Sequence, residues 1–118
     1  MRSGQFPLLL LGGMIFGCAS PATLRIQMPY LDLDSTSPAK EVAACIAHRW
    51  ESSGTTGTAL RINMKSSPSG YTVNWSEGDR TFVLTDVDDR PDGSSIRYFR
   101  LRDALYLEGF DAAVMLCR

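Results

Sequence analysis

The chain has 118 residues, 44% of them hydrophobic, 21% charged and 9% aromatic, and sets 12 Lys and Arg against 13 Asp and Glu for a formal net charge of -1. That composition fits one small globular domain and excludes a disordered or coiled-coil chain. The near balance of charge leaves no basic stripe to follow a phosphate backbone, so nucleic acid is set aside as a partner.

The N-terminus is organised differently from everything after it. Arg2 supplies a positive charge, and "FPLLLLGGMIF" (6–16) is an apolar run of signal-peptide length, too short to cross a bilayer as a stable helix. Small residues Gly17 and Ala19 flank Cys18. Ile15, Phe16, Gly17 and Cys18 resemble the lipobox of bacterial lipoproteins: an aliphatic residue three before the cysteine, a small one directly before, then the cysteine itself. Phe16 departs from that pattern, which usually has a small or β-branched residue there. The resemblance implies a type II signal peptide over 1–17, diacylglycerol on the Cys18 thiol, cleavage between Gly17 and Cys18, and acylation of the new amine by a palmitate-like chain. Lipid transfer needs a thiolate as its nucleophile. Two or three acyl chains make a stable membrane anchor. By resemblance to enterobacterial sorting, Ala19 and Ser20 after the cysteine, in place of Asp, favour the outer membrane with the domain facing the periplasm. The alternative is a buried cysteine in an ordinary secretory signal. The remainder is loosely similar to small proteobacterial lipoproteins with "ACIA" early and a cysteine near the end, a similarity that implies no activity.

With Cys18 assigned to lipid, Cys45 and Cys117 remain. In the periplasm an even pair is most simply read as one disulfide, with two separate buried thiols as the alternative. "ASPATLRIQMPYLDLDSTS" (19–37) carries prolines at 21 and 29 and a polar end. It reads, with Cys18, as a lipidated N-terminus and tether over 18–37, ahead of a small α+β domain at 38–118. Leu24, Ile26 and Met28 alternate with Thr23, Arg25 and Gln27, so part of it can pair as an edge strand.

A helix is predicted from Pro38 to about Ser52. Ser37 can cap its first turn, Pro38 suits the first helical position, and Gly54 supplies a stop. Val42, Cys45, Ile46 and Trp50 recur at helical spacing, Ala39 and Ala43 widen the arc, and Glu41, Ala44, His48 and Glu51 fall opposite. His48, the single histidine, is therefore a solvated residue rather than a ligand or catalyst. Arg49 falls within the apolar arc, with its stem packed and its guanidinium free to reach a carboxylate or the last carbonyls.

From residue 59 the period changes to 2. "ALRINMK" alternates Leu60, Ile62 and Met64 with Arg61, Asn63 and Lys65, and "GYTVNW" places Tyr71, Val73 and Trp75 on one side. "RTFVLTDV" (80–87) is apolar on both parities, as in a central strand, and "SSIRYFRL" (94–101) follows. Short connections make these an antiparallel meander. The acidic stretch holding Asp86, Asp88, Asp89 and Asp92 fails as an EF-hand loop, because Arg90, Pro91 and Arg97 stand where an oxygen ligand, Gly and Glu are required. A hairpin turn at Asp92-Gly93 is the preferred reading. In "LRDALYLEGFDAAVMLCR" a strand continuation or turn is expected to about 107, then a short helix from about 109 with Phe110, Ala113, Val114 and Cys117 on one face.

The expected fold is thus α+β: an N-terminal helix, a four-stranded antiparallel meander and a short C-terminal helix, both helices on one face of the sheet and joined by one disulfide. No zinc signature, phosphate-cradling loop or nucleophile elbow is present, so no cofactor or metal is assigned. The expected function is a non-enzymatic, membrane-anchored lipoprotein that contacts an envelope protein. Its candidate surface is Arg61, Lys65, Asp86, Asp88, Asp92 and Arg97. The alternatives are an inhibitor or exclusion factor acting on an envelope enzyme or phage receptor, and a hydrolase using a carboxylate pair such as Asp86 with Asp88 or Glu77 with Asp79.

Overall fold

The computed structural model describes residues 20–53, 59–102, 104 and 106–118. The signal peptide over 1–17, Cys18, the helix stop at Gly54 and Asp103 lie outside the described residues.

Where a tether is expected, the chain is folded. Ser20 and Pro21 start a short helix, α1 (Pro21–Arg25), in which Ser20 Oγ accepts the Thr23 N–H at 3.2 Å. A strand follows, β1 (Leu31–Ser35), its side chains alternating between half-buried and exposed. The edge strand is therefore real but lies seven residues beyond the Leu24–Met28 alternation that suggested it. Leu24 belongs to α1 and is fully buried, whereas Ile26 and Met28 are exposed.

The long helix, α2 (Ala39–Glu51), buries Ala39, Val42, Ala43, Ile46 and Trp50 as its periodicity requires. Two local expectations are corrected. The first turn is capped from afar, by Asp89 Oδ1 accepting the Ala39 N–H at 3.1 Å, while the Ser37 side chain makes no cap. Arg49 is exposed rather than packed in the apolar arc, although its neighbour Trp50 is fully buried.

Four strands form the meander: β2 (Ile62–Ser67), β3 (Gly70–Glu77), β4 (Arg80–Arg90) and β5 (Gly93–Arg100). The sheet has five strands, all antiparallel to their neighbours, in the order β1-β5-β4-β3-β2. The expected count of four is short by β1, which pairs Leu31 with Tyr98 and Leu33 with Ile96. The hairpins are tight. Gly78, at φ 61°, takes the first corner of the β3–β4 turn, and Pro91 and Asp92 form the corner between β4 and β5. Gly93 follows at φ 146°, and a Cβ there would fall on the Ser35 carbonyl oxygen, so β1 can close on β5 only over glycine. β5 stops at Arg100, so of the two expectations for the stretch to about 107 the strand continuation is corrected, and Arg102 sits in a turn. Tyr106, in left-handed backbone (φ 66°), then leads into the last helix, α3 (Glu108–Leu116), with Phe110, Ala113, Val114 and Cys117 buried.

β1 and β2 lie at opposite edges, so the chain must cross the sheet between them. Four inter-strand gaps span roughly 19 Å, and a helix as long as α2 spans roughly 19 Å. α2 is that crossing, and it covers one face of the sheet. Val73, Val83, Val87, Ile96 and Tyr98 meet it from the strands and Phe110, Ala113 and Val114 from α3 in one core. The disulfide Cys45–Cys117, with Cα atoms 5.8 Å apart, joins α2 to α3. Trp50 Nε1 donates to the Phe110 carbonyl at 3.2 Å, and Trp75 stacks between Phe82 and Phe110. At the β1 end, Asp111 of α3 accepts from the Tyr98 hydroxyl at 2.7 Å and from Arg100 Nη1 at 2.9 Å. Burial first, then this bond to Asp111, raises the Tyr98 hydroxyl above the ordinary phenol range.

Candidate functional site

Every second residue of the strands faces away from α2 and α3, toward the other side of the sheet. Among the described residues only α1 covers that outer face, packing Leu24 onto Leu84, Phe99 and Leu101. Beside this patch the strand registers align a row of polar side chains: Lys65 opposite Thr72, Thr72 opposite Asp86, Asp86 opposite Arg97, and Arg97 opposite Asp32.

Arg25 enters this row from the end of α1. Its Nε donates to Asp86 Oδ2 and its Nη2 to Asp86 Oδ1, both at 2.8 Å, a two-pronged grip. The Thr72 hydroxyl donates to Asp86 Oδ1 at 2.8 Å and accepts from Arg25 Nη2 at 3.3 Å, closing a triangle. Burial pushes the Asp86 carboxyl up, but the hydrogen bonds from Arg25 and Thr72 and the charges of Arg25 and Arg97 outweigh it, and its pKa lies below the ordinary value. Asp86 is thus held ionised and engaged.

The other candidates divide. Lys65 and Arg97 are exposed on the outer face in Asp86's own row, and Asp88 stands one row along. Asp88 accepts from Ser69 Oγ at 2.7 Å and from Arg97 Nη2 at 3.2 Å. Arg61 is exposed just ahead of β2, and Asp92 is exposed at the β4–β5 corner, away from the row. Asp86 itself, with a side chain only 11% exposed, is a support beneath the surface rather than a contact. His48 is exposed with Glu51 at 3.9 Å.

The acidic stretch does not converge. Asp86 faces Arg25, Asp88 faces Ser69 and Arg97, Asp89 caps α2, and Asp92 points outward from its turn. Among the described residues no three His, Cys, Asp or Glu side chains stand close enough together to hold a metal ion, and no helix is long and apolar enough to cross a membrane. Between α1 and strands β2 and β3 lies a groove of about 340 Å³, lined by Pro21, Arg25, Asn63, Lys65, Thr72 and Asn74. Another of about 340 Å³ opens between Asp34 and Thr36 and the β4–β5 corner.

Sequence reasoning missed Arg25, Thr72 and Asp32. For Arg25 a signal was present: Ser20-Pro21 repeats the helix-start pattern of Ser37-Pro38. For Thr72 and Asp32 the information lies in strand register, which the local sequence does not carry. The arrangement offers mixed charge, hydroxyls and amides on an open surface beside a shallow groove, the equipment for recognising another polar surface. In comparisons with known proteins, no family model, no curated protein and no solved structure matches this chain.

Proposed function

We propose that the protein is an outer-membrane lipoprotein, anchored through acyl chains on Cys18, whose periplasmic domain works by contact with an envelope protein rather than by catalysis. The observation that carries the reading is the unequal treatment of the two sheet faces. One is sealed by two helices and a disulfide, which suits an oxidising compartment. The other keeps Lys65, Arg97 and Asp32 exposed in one aligned row, charges that the fold does not need for its core. Confinement at a membrane raises the effective concentration of such a surface for a partner held there.

Two measurements test it. Mass spectrometry of the mature N-terminus should find acyl chains on Cys18, and Cys18→Ala should release the protein from membranes. Photocrosslinking residues placed at Asp32, Lys65 and Arg97 in intact envelopes should capture one defined protein, and the same probe at Lys40, exposed on α2, should not. Unchanged processing and retention in Cys18→Ala would overturn the anchor. Equal capture from Lys40 and from the outer face, or capture from neither, would overturn the contact surface.

A further inference from the structure

The segment between α1 and β1 presents two apolar side chains, Ile26 and Met28, that the fold leaves exposed, beside Tyr30, whose ring packs edge-on against Tyr98 and stays partly exposed. Ile26 is 84% exposed, Met28 80% and Tyr30 39%. The backbone that carries them is tied to the fold: the Gln27 N–H bonds the Leu24 carbonyl at 3.2 Å, the Tyr30 N–H bonds the Tyr98 carbonyl at 2.7 Å, and Arg102 Nη2 donates to the Met28 carbonyl at 2.8 Å. Arg100 and Arg102 lie over the Tyr30 ring, 4.2 and 5.7 Å from its centroid. Arg100 is engaged with Asp111 and mostly covered, so Arg102 is the exposed basic head here. An aliphatic pair, an aromatic ring and one such head gathered at a single short segment are the combination that suits a lipid–water boundary.

The length of chain before this segment says which surface it meets. Ala19 and Ser20 alone separate Cys18 from Pro21. Fully extended, those links reach about 11 Å. The headgroup layer is itself about 6 Å thick on each side of the hydrocarbon. A Cys18 whose acyl chains are in the bilayer therefore holds the start of α1 no more than about 5 Å beyond the headgroups, and α1 adds at most about 8 Å before Ile26. We infer that the Ile26–Tyr30 segment, with Arg102, rests on the lipid surface beside the anchor: Ile26 and Met28 enter the acyl boundary, and Arg102 lies among the phosphates. This rests on the lipid-anchor reading of Cys18 and deepens it, because the domain then stands on the membrane in one orientation instead of swinging on a leash. The β4–β5 corner, at the far end of β5 from Arg100, points away from the lipid toward the periplasm.

The test uses the full mature protein in vesicles of phosphatidylethanolamine and phosphatidylglycerol brominated at the upper acyl carbons, with Met28→Trp compared against Lys40→Trp. Native Trp50 and Trp75 give the common background. Met28→Trp fluorescence should be quenched at least about twofold more than Lys40→Trp, since insertion reaches only the headgroup and acyl boundary. Equal quenching of the two in protein whose mass shows an acylated Cys18 would overturn the docking and leave the anchor standing. Crosslinks between two copies through residue 28, without quenching, would overturn it in favour of a second copy as the occupant. An unacylated Cys18 in the membrane-derived protein would overturn both readings together.

Discussion

The two faces of the sheet are held by different physics. The inner face meets α2 and α3 across one continuous apolar core, closed by a disulfide whose cysteines lie 72 residues apart in sequence. Among the described residues the outer face has only a five-residue helix over it, one buried leucine against a small patch, and an ionic grip at the rim. A helix of that length has no stability of its own, so α1 exists because Leu24 and Arg25 dock. The difference teaches that stability resides on the inner face, and that the outer face could be altered with the fold intact.

Breaking the inner face should cost most. Trp50→Ala removes a fully buried ring and its bond to the Phe110 carbonyl, and urea unfolding should record a loss of about 4 kcal/mol. Next, replacing Cys45 and Cys117 together by Ala frees the long loop in the unfolded chain. The midpoint should fall by the equivalent of about 3 kcal/mol, with an expanded but still folded sheet under mild conditions.

On the outer face the effects should shrink. Leu24→Ala leaves Leu84 and Phe99 uncovered at a site close to solvent that can readily collapse, and about 2 kcal/mol should be lost. Hydrogen exchange should show α1 opening while α2 stays protected.

The Arg25–Asp86 pair should be weaker still, about 1 kcal/mol, because the Arg25 side chain is 41% exposed and solvent screens it. Its pH dependence has a definite sign. The native Asp86 pKa lies below its unfolded value, so the pairing contributes fully above the ordinary carboxylate range and is lost as pH falls through the lowered native value. Asp86→Asn should flatten that part of a stability-versus-pH curve, and an unchanged acid limb would show that the grip contributes nothing.

The smallest effect should have the opposite sign. Thr85 is fully buried on the inner face, between Val83 and Val87, and its hydroxyl has no hydrogen-bond partner. Thr85→Val should stabilise the domain by up to about 1 kcal/mol in the same unfolding measurement.

Much of the inner face was legible from local pattern. The helical spacing of Val42, Ile46 and Trp50 and the alternation of Ile62, Met64, Val73 and Trp75 are short-range signals, and each element they mark is present. The two remaining cysteines pair as the simplest arithmetic suggested. Around the outer face the same reasoning stopped early. Prolines at 21 and 29 argued for a tether, yet Pro21 opens a helix and Pro29 lies two residues ahead of β1.

The sequence by itself determined the long helix and the four meander strands from residue 38 onward, the apolar positions that most of them bury, and the cysteine pair, because these depend on spacing along one segment or on a simple count. Only the tertiary structure decided that Leu31–Ser35 adds a fifth strand, that Asp89 rather than Ser37 caps α2, and that Arg25 locks Asp86 beneath a row running from Lys65 to Asp32. The β1–β5 pairing, the Asp89 cap and the Arg25–Asp86 grip join residues roughly 50 to 70 positions apart, where no periodicity reaches. They are chosen by which arrangement satisfies buried donors, acceptors and charges at once.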